Sequence, residues 1–154
     1  ANSIFTGQGG WHGTWVTGTL VRGTDFKSNM TLISGIVGAG GSPNLGGIGN
    51  DGQATTLTYV DTNGDSKTKT AAAGAGGGKG FTHNPNNPNA HTAGAGQAPI
   101  TYLNIKYPGG PDAGQATTGS SPGGGGGGGG GLFGEIAAGW GGNGIVYLVG
   151  RRVA

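Results

Sequence analysis

The chain has no cysteine, so neither a disulfide nor a thiolate-bound metal can hold it together, and its redox compartment stays open. Charge is scarce as well: eight Lys and Arg stand against six Asp and Glu, a net of +2. The basic residues gather nowhere beyond Arg151-Arg152, too thin a footprint for a nucleic-acid partner. No apolar run approaches the roughly 18 residues of a membrane-spanning helix, so insertion in that form is not expected. Helix signals are missing too. No stretch keeps a 3.6-residue period, and each glycine would cost a helix about 1 kcal/mol.

What is present is glycine. The chain of 154 residues carries 41 glycines and 7 prolines, close to a third of the total and within the range of low-complexity chains. Disordered chains of that kind combine high net charge with few aromatics. This one has three Trp, four Tyr and four Phe, set in short runs with Val, Ile and Leu, so an ordered chain is expected. With only 32% hydrophobic residues an ordinary core must be small. Backbone hydrogen bonds and weak Cα–H···O contacts, each about 0.5–1 kcal/mol, would have to supply the stability. Two designs suit this: glycine segments stacked on a small β framework, or a core shared between copies. Ala1 suits a mature start after loss of an initiator Met, or a cleavage product.

Strand signals are local. Residues 14–21 alternate with period 2 behind a Trp11-His12-Gly13 turn, and residues 30–37 read as a second strand. Residues 55–60 and 66–70 flank Asp61-Thr62-Asn63-Gly64-Asp65, and Asn-Gly between β-rich runs is the strongest short hairpin signal. Residues 100–107 form one further strand before Pro108-Gly109-Gly110-Pro111, and residues 145–149 the last. The fold class is therefore mainly β and irregular, a small antiparallel framework with stacked glycine segments and essentially no α-helix. Residues 1–29 read as an N-terminal strand and attachment segment, and residues 30–154 as the glycine-rich domain.

Nine consecutive glycines, Gly123 to Gly131, admit two readings. They are a flexible tether, or they are a polyproline-II-like strand whose free N–H and C=O groups pair with neighbours that a Cβ would hold apart. The 23 residues after the run are too few to fold alone. Its closing strand can pair only with earlier ones, which places the run inside the fold.

Candidate chemistry is thin. Asp61-x-Asn63-x-Asp65 opens like a calcium loop, but Ser66 and Ala72 occupy the positions where an EF-hand needs Gly and Glu. His12, His83 and His91 lack a third ligand at metal-site spacing. The acids Asp25, Asp51, Asp61, Asp65, Asp112 and Glu135 lie mostly in turn sequences, and no Gly-x-Ser-x-Gly elbow is present. No glycine segment ends in Lys-Ser/Thr before a helix, so none is a phosphate loop. An enzyme, a metal site and a cofactor are not expected. Aromatics beside glycine segments (Phe81, Tyr102, Tyr107 and Trp140) carry more information, since aromatic and Asn-rich loops are common binding surfaces. For Trp140 a place capping the small core is the expected one, whereas Phe81 suits a core cap and a binding loop equally.

The order of segments resembles a known arrangement. Val37-Gly38-Ala39-Gly40-Gly41 leads to Gly49-Asn50-Asp51-Gly52-Gln53-Ala54-Thr55-Thr56, then to Thr70-Ala71-Ala72-Ala73-Gly74-Ala75-Gly76-Gly77-Gly78. The long glycine run follows, and then Gly141-Gly142-Asn143-Gly144 before the last strand. Residues 30–154 thereby resemble the glycine-rich domains of bacteriophage tail-fibre tips and tail-tip adhesins. The resemblance implies stacked polyglycine-II strands at 38–52, 71–80, 94–96, 109–114, 123–131 and 139–144. It also implies receptor-facing loops at 81–91 and 112–121, with the hairpin tip as a third. Candidate receptor-binding residues are then Phe81, His83, Asn84, Asn86, Asn87, His91, Asp112, Gln115 and Asn63. Trp11 and Trp15 would be buried anchors attaching the domain to the rest of a fibre or virion.

The function this implies is a virion protein, extracellular on the tail fibre or tail tip. It would bind a host-surface polysaccharide or outer-membrane protein beside other virion or fibre proteins, as a homotrimer if it follows its fibre's threefold axis. A purely structural decoration or connector protein is the alternative from another class. Ice binding by a polyglycine-II bundle is a third, disfavoured by irregular glycine spacing and the lack of cysteine.

Overall fold

Alternation and turn chemistry build the one substantial sheet. The computed structural model describes residues 5–6, 9–44, 49–76, 81–82, 93–114, 117–127, 130–131 and 138–151, and no helix occurs among them. In chain order the strands are β1 (Phe5–Thr6), β2 (Ser34–Ile36), β3 (Thr55–Val60), β4 (Ser66–Ala71), β5 (Phe81–Thr82), β6 (Ile100–Tyr102), β7 (Ile105–Tyr107) and β8 (Gly130–Gly131). β3 and β4 form the expected hairpin, and β2 adds antiparallel to β3. The hairpin loop is organised by Asp61, whose carboxylate accepts the amides of Asn63 and Asp65, each at 2.9 Å. The Asp65 amide contributes most to holding the Asp61 pKa below its ordinary value, with the Asn63 amide and Lys67, 3.4 Å away, acting in the same direction. Gly64 takes the positive φ of 95° that the turn requires.

Two strand expectations change. Residues 100–107 are not one strand but the hairpin β6–β7, turned by Leu103 and Asn104 at φ 48° and 63°. A two-residue loop with both φ positive has the pattern of a type I′ turn, which matches strand twist but rarely uses Leu. Residues 14–21 and 145–149 have the right composition, yet neither forms a ladder among the described residues. The second strand is also shorter than expected, Ser34–Ile36 within residues 30–37.

Outside the sheets, several described segments form a stack, paired antiparallel by backbone hydrogen bonds that recur every third residue. Gly10 and Gly13 donate to Gly126 and Gly123, while Trp11 and Thr14 donate to Ala75 and Ala72. Gly124 and Gly127 donate to Ser120 and Thr117, and accept from Gly142 and Gly139. Asn50 and Gln53 donate to Ser42 and Ala39, and Gly141 and Gly144 to Gly41 and Gly38. A β-ladder bonds to one neighbour on alternate residues. Here the spacing is three, and the donors of residues 123–127 reach three different segments, at residues 95, 117–120 and 143.

The pairing of residues 10–13 with residues 123–126 keeps the register of β1 with β8, where Phe5 faces Gly131 and Thr6 faces Gly130. Residues 5–6 and 10–13 therefore run against residues 130–131 and 123–126 of the nine-glycine run in one register. Hydrogen bonds of the chain's start reach partners between residues 72 and 131, across the boundary drawn at residue 29.

Glycine backbone, not side chain, fills the interior. Gly9, Gly13, Gly38, Gly94, Gly110, Gly119 and Gly124 to Gly127 are buried, whereas Phe26 and Ala113 are the buried hydrophobic residues described, 7% and 5% exposed. A Cβ on Gly125 would overlap the Gly10 carbonyl oxygen, and one on Gly126 the Gly139 carbonyl oxygen. The approach is one only glycine allows.

Candidate functional site

Register decides which parts of the chain share an end of the stack. The described paired segments run from one end of the stack to the other, and the described residues beyond them sort into two groups. One end, the framework end, carries residues 14–37, the β3–β4 hairpin, the β6–β7 hairpin and residues 145–151. At the other, the loop end, the sheet of order β5-β1-β8 gathers Phe81–Thr82, Phe5–Thr6 and Gly130–Gly131. Asn50 donates to Ser42 there, and a Cβ on Gly76 would meet Gly49. Thr117 donates to Gly114, with Gly127 bonded to Thr117 beside it.

The receptor-binding candidates distribute unevenly over these ends. Phe81 lies on β5, with its backbone paired to Thr6. His83, Asn84, Asn86, Asn87, His91 and Gln115 fall outside the described residues. Asp112 belongs to the stack: one carboxylate oxygen accepts the Gly96 amide at 2.6 Å, much as Asp51 accepts the Gly76 amide at 2.8 Å. Asn63 sits on the β3–β4 tip at the framework end, separated by the stack from β5. Of the described candidates, Phe81 and Asn63 thus lie at opposite ends of the stack.

At the framework end the structure assembles an aromatic cluster that only partly showed in the sequence. Trp15 donates its indole N–H to the Ala98 carbonyl at 2.8 Å and packs against Tyr147, ring centroids 6.4 Å apart. Tyr147 packs against Tyr107 at 4.9 Å. The Tyr102 hydroxyl lies 2.9 Å from Thr19 Oγ1, and Arg151 donates to the Leu103 carbonyl at 3.0 Å. Residues 15–19, the β6–β7 hairpin and the terminal segment are lashed together this way. Tyr102 and Tyr107 stood out in the sequence as aromatics beside glycine. Tyr147 did not, because its neighbours read as strand.

The expected burial of tryptophan is corrected. Trp11 and Trp140 are each 55% exposed, and Trp15 is half-buried. Trp140 therefore does not cap a core, and Trp11, expected to anchor the domain to other virion proteins, lies on the surface of this chain. All described Lys and Arg side chains (Arg22, Lys27, Lys67, Lys69, Lys106 and Arg151) lie at the framework end. Among the described residues, no three of His, Asp and Glu come together as a metal site would need. No helix among them is long and apolar enough to cross a membrane.

Comparison with known proteins gives one informative likeness. A stretch of 59 residues is 46% identical to the Gene 32 protein of Mycobacterium phage D29, covering 34% of this chain and 26% of that protein. The chain thus spans about a quarter of the length of the curated relative it matches. No family model matches, and no solved structure does. Part of this chain is similar to a phage protein.

Proposed function

We propose that the protein is a non-enzymatic phage virion component, a tail-fibre tip or adhesin module that presents its loop end to a receptor on the host bacterial surface. The likeness to a mycobacteriophage protein supports the phage assignment. The observation that carries the rest is the common register, which delivers β1, β5 and β8 to one end of a stack whose interior is backbone. We infer that the stack is a polyglycine-II bundle, because hydrogen bonds to each neighbour recur every third residue and fan out to several neighbours at once. Such a scaffold suits an adhesin: its bonds do not depend on loop sequence, so loops can vary without loss of the fold. The receptor is a surface polysaccharide or an outer-membrane protein, and residues 81–91 and Gln115 are the candidates to meet it.

Replacing residues 83–91 by a Gly/Ser segment of equal length tests this. Adsorption of the particle to its host should fall to background while the melting temperature stays within a degree or two. Normal adsorption after the swap would contradict the proposal and favour a structural decoration or connector role.

A further inference from the structure

Residues 145–149, Ile-Val-Tyr-Leu-Val, have the highest β-propensity in the chain and make no backbone hydrogen bond among the described residues. Leu148 is 64% exposed, and Ile145, Tyr147 and Val149 are exposed with it. A second unpaired row lies close by. β2 is an edge of its sheet, bonded to β3 on one side only, and Ile36 on it is 65% exposed between exposed Leu32 and Val37. Unpaired apolar edges of this kind are templates for another strand, and the usual guards against such pairing are absent from both. Neither segment carries a Lys, a Pro or an inward charge; β4, the opposite edge of the same sheet, carries Lys67 and Lys69.

The two rows do not satisfy each other within one chain. Residues 141–144 run antiparallel to residues 38–41, with Gly144 bonded to Gly38, so a straight continuation would lay residues 145–149 along β2. Tyr147 is instead held by Tyr107 and Trp15, and the pairing stops at Gly144. Among the described residues both edges stay open.

We propose that these two edges form a self-association surface: residues 145–149 of one copy of this chain pair with the outer edge of β2 on a second copy. Joining edge to edge satisfies both rows of backbone groups and covers Ile36, Leu148 and Val149 together. The contact is head-to-tail, so it closes into a ring or propagates, depending on the rotation between copies. It does not rest on host binding, since it occupies the framework end, away from the loops.

The test uses the full chain, with mass measured by light scattering from low to high micromolar concentration and amide exchange followed over the same range. The wild type should form an oligomer, and residues 145–149 and 34–36 should exchange at least about tenfold slower in it than after dilution. Leu148→Lys with Val149→Lys should be a single chain with an unchanged far-ultraviolet spectrum, and Ile36→Lys, from the other side, should behave alike. A wild type of single-chain mass at every concentration overturns the proposal, whatever other chain then covers the strand. So does assembly that survives both variants, or exchange in these segments that ignores concentration. Should a variant fail to fold, the wild-type exchange measurement decides alone.

Discussion

The glycine stack and the β framework solve the same problem by opposite means. In the framework, side chains make the difference: Thr58 pairs with Thr68 across β3 and β4 at 3.0 Å, and Phe26 meets Tyr59 edge-on at 6.5 Å. In the stack, the absence of side chains does. Backbones approach until a Cβ would overlap a carbonyl oxygen, and one segment serves several neighbours because its donors point in three directions. The framework tolerates change in its residues and leaves apolar surface uncovered. The stack tolerates almost none, and it buries what no hydrophobic core would: polar backbone, satisfied by polar backbone.

The largest effect should come from giving the stack a side chain. Gly125→Val forces away the segment holding Gly10 and Trp11, since a Cβ there would overlap the Gly10 carbonyl group and crowd the Trp11 amide nitrogen. A loss of about 3 kcal/mol or more is expected by urea denaturation, at the upper end for overpacking because backbone must move. A loss under 1 kcal/mol would mean the run is not packed. Next is the junction of the two regions. Thr55, buried at the start of β3, accepts the Gly38 amide on its Oγ1 at 3.0 Å. Thr55→Val keeps the shape and strands that amide, at a cost of about 1–3 kcal/mol. Smallest, and opposite in sign, is a repair to the framework. Replacing Leu103-Asn104 by Asn-Gly supplies residues suited to positive φ at both positions and should stabilise by about 1 kcal/mol, read as a rise in melting temperature.

The same contrast explains how far the sequence could be read. The β3–β4 hairpin was legible because alternation and Asn63-Gly64 agree on it. The β6–β7 hairpin was hidden, since Leu103 gives no turn signal and is driven into the left-handed region by its flanking strands. Residues 145–149 read as a strand and are not one among the described residues, because propensity carries no information on whether a partner exists. Tyr147, drawn to Tyr107 and Trp15, takes the segment away from its nearest edge. Placing Gly123 to Gly131 inside the fold followed from the short tail after it. Its partner, the start of the chain, could not be foreseen: glycine has no side chain to alternate, so a glycine register leaves no pattern. For the candidate loops, composition marked residues 81–91 and 112–121, but only the topology separates Asn63 from them and assigns Asp112 to the scaffold.

The central claim is that the nine-glycine run is an interior strand bonded on several sides. Amide hydrogen exchange at Gly123 to Gly127 tests it most directly. Gly123, Gly124, Gly125 and Gly127 donate to Asn143, Ser120, Ala95 and Thr117, so these amides should be protected as strongly as those of the β3–β4 ladder and lose protection with them on global unfolding. Exchange at the rate of an unstructured glycine peptide, with the ladder still protected, would show a tether and contradict the account.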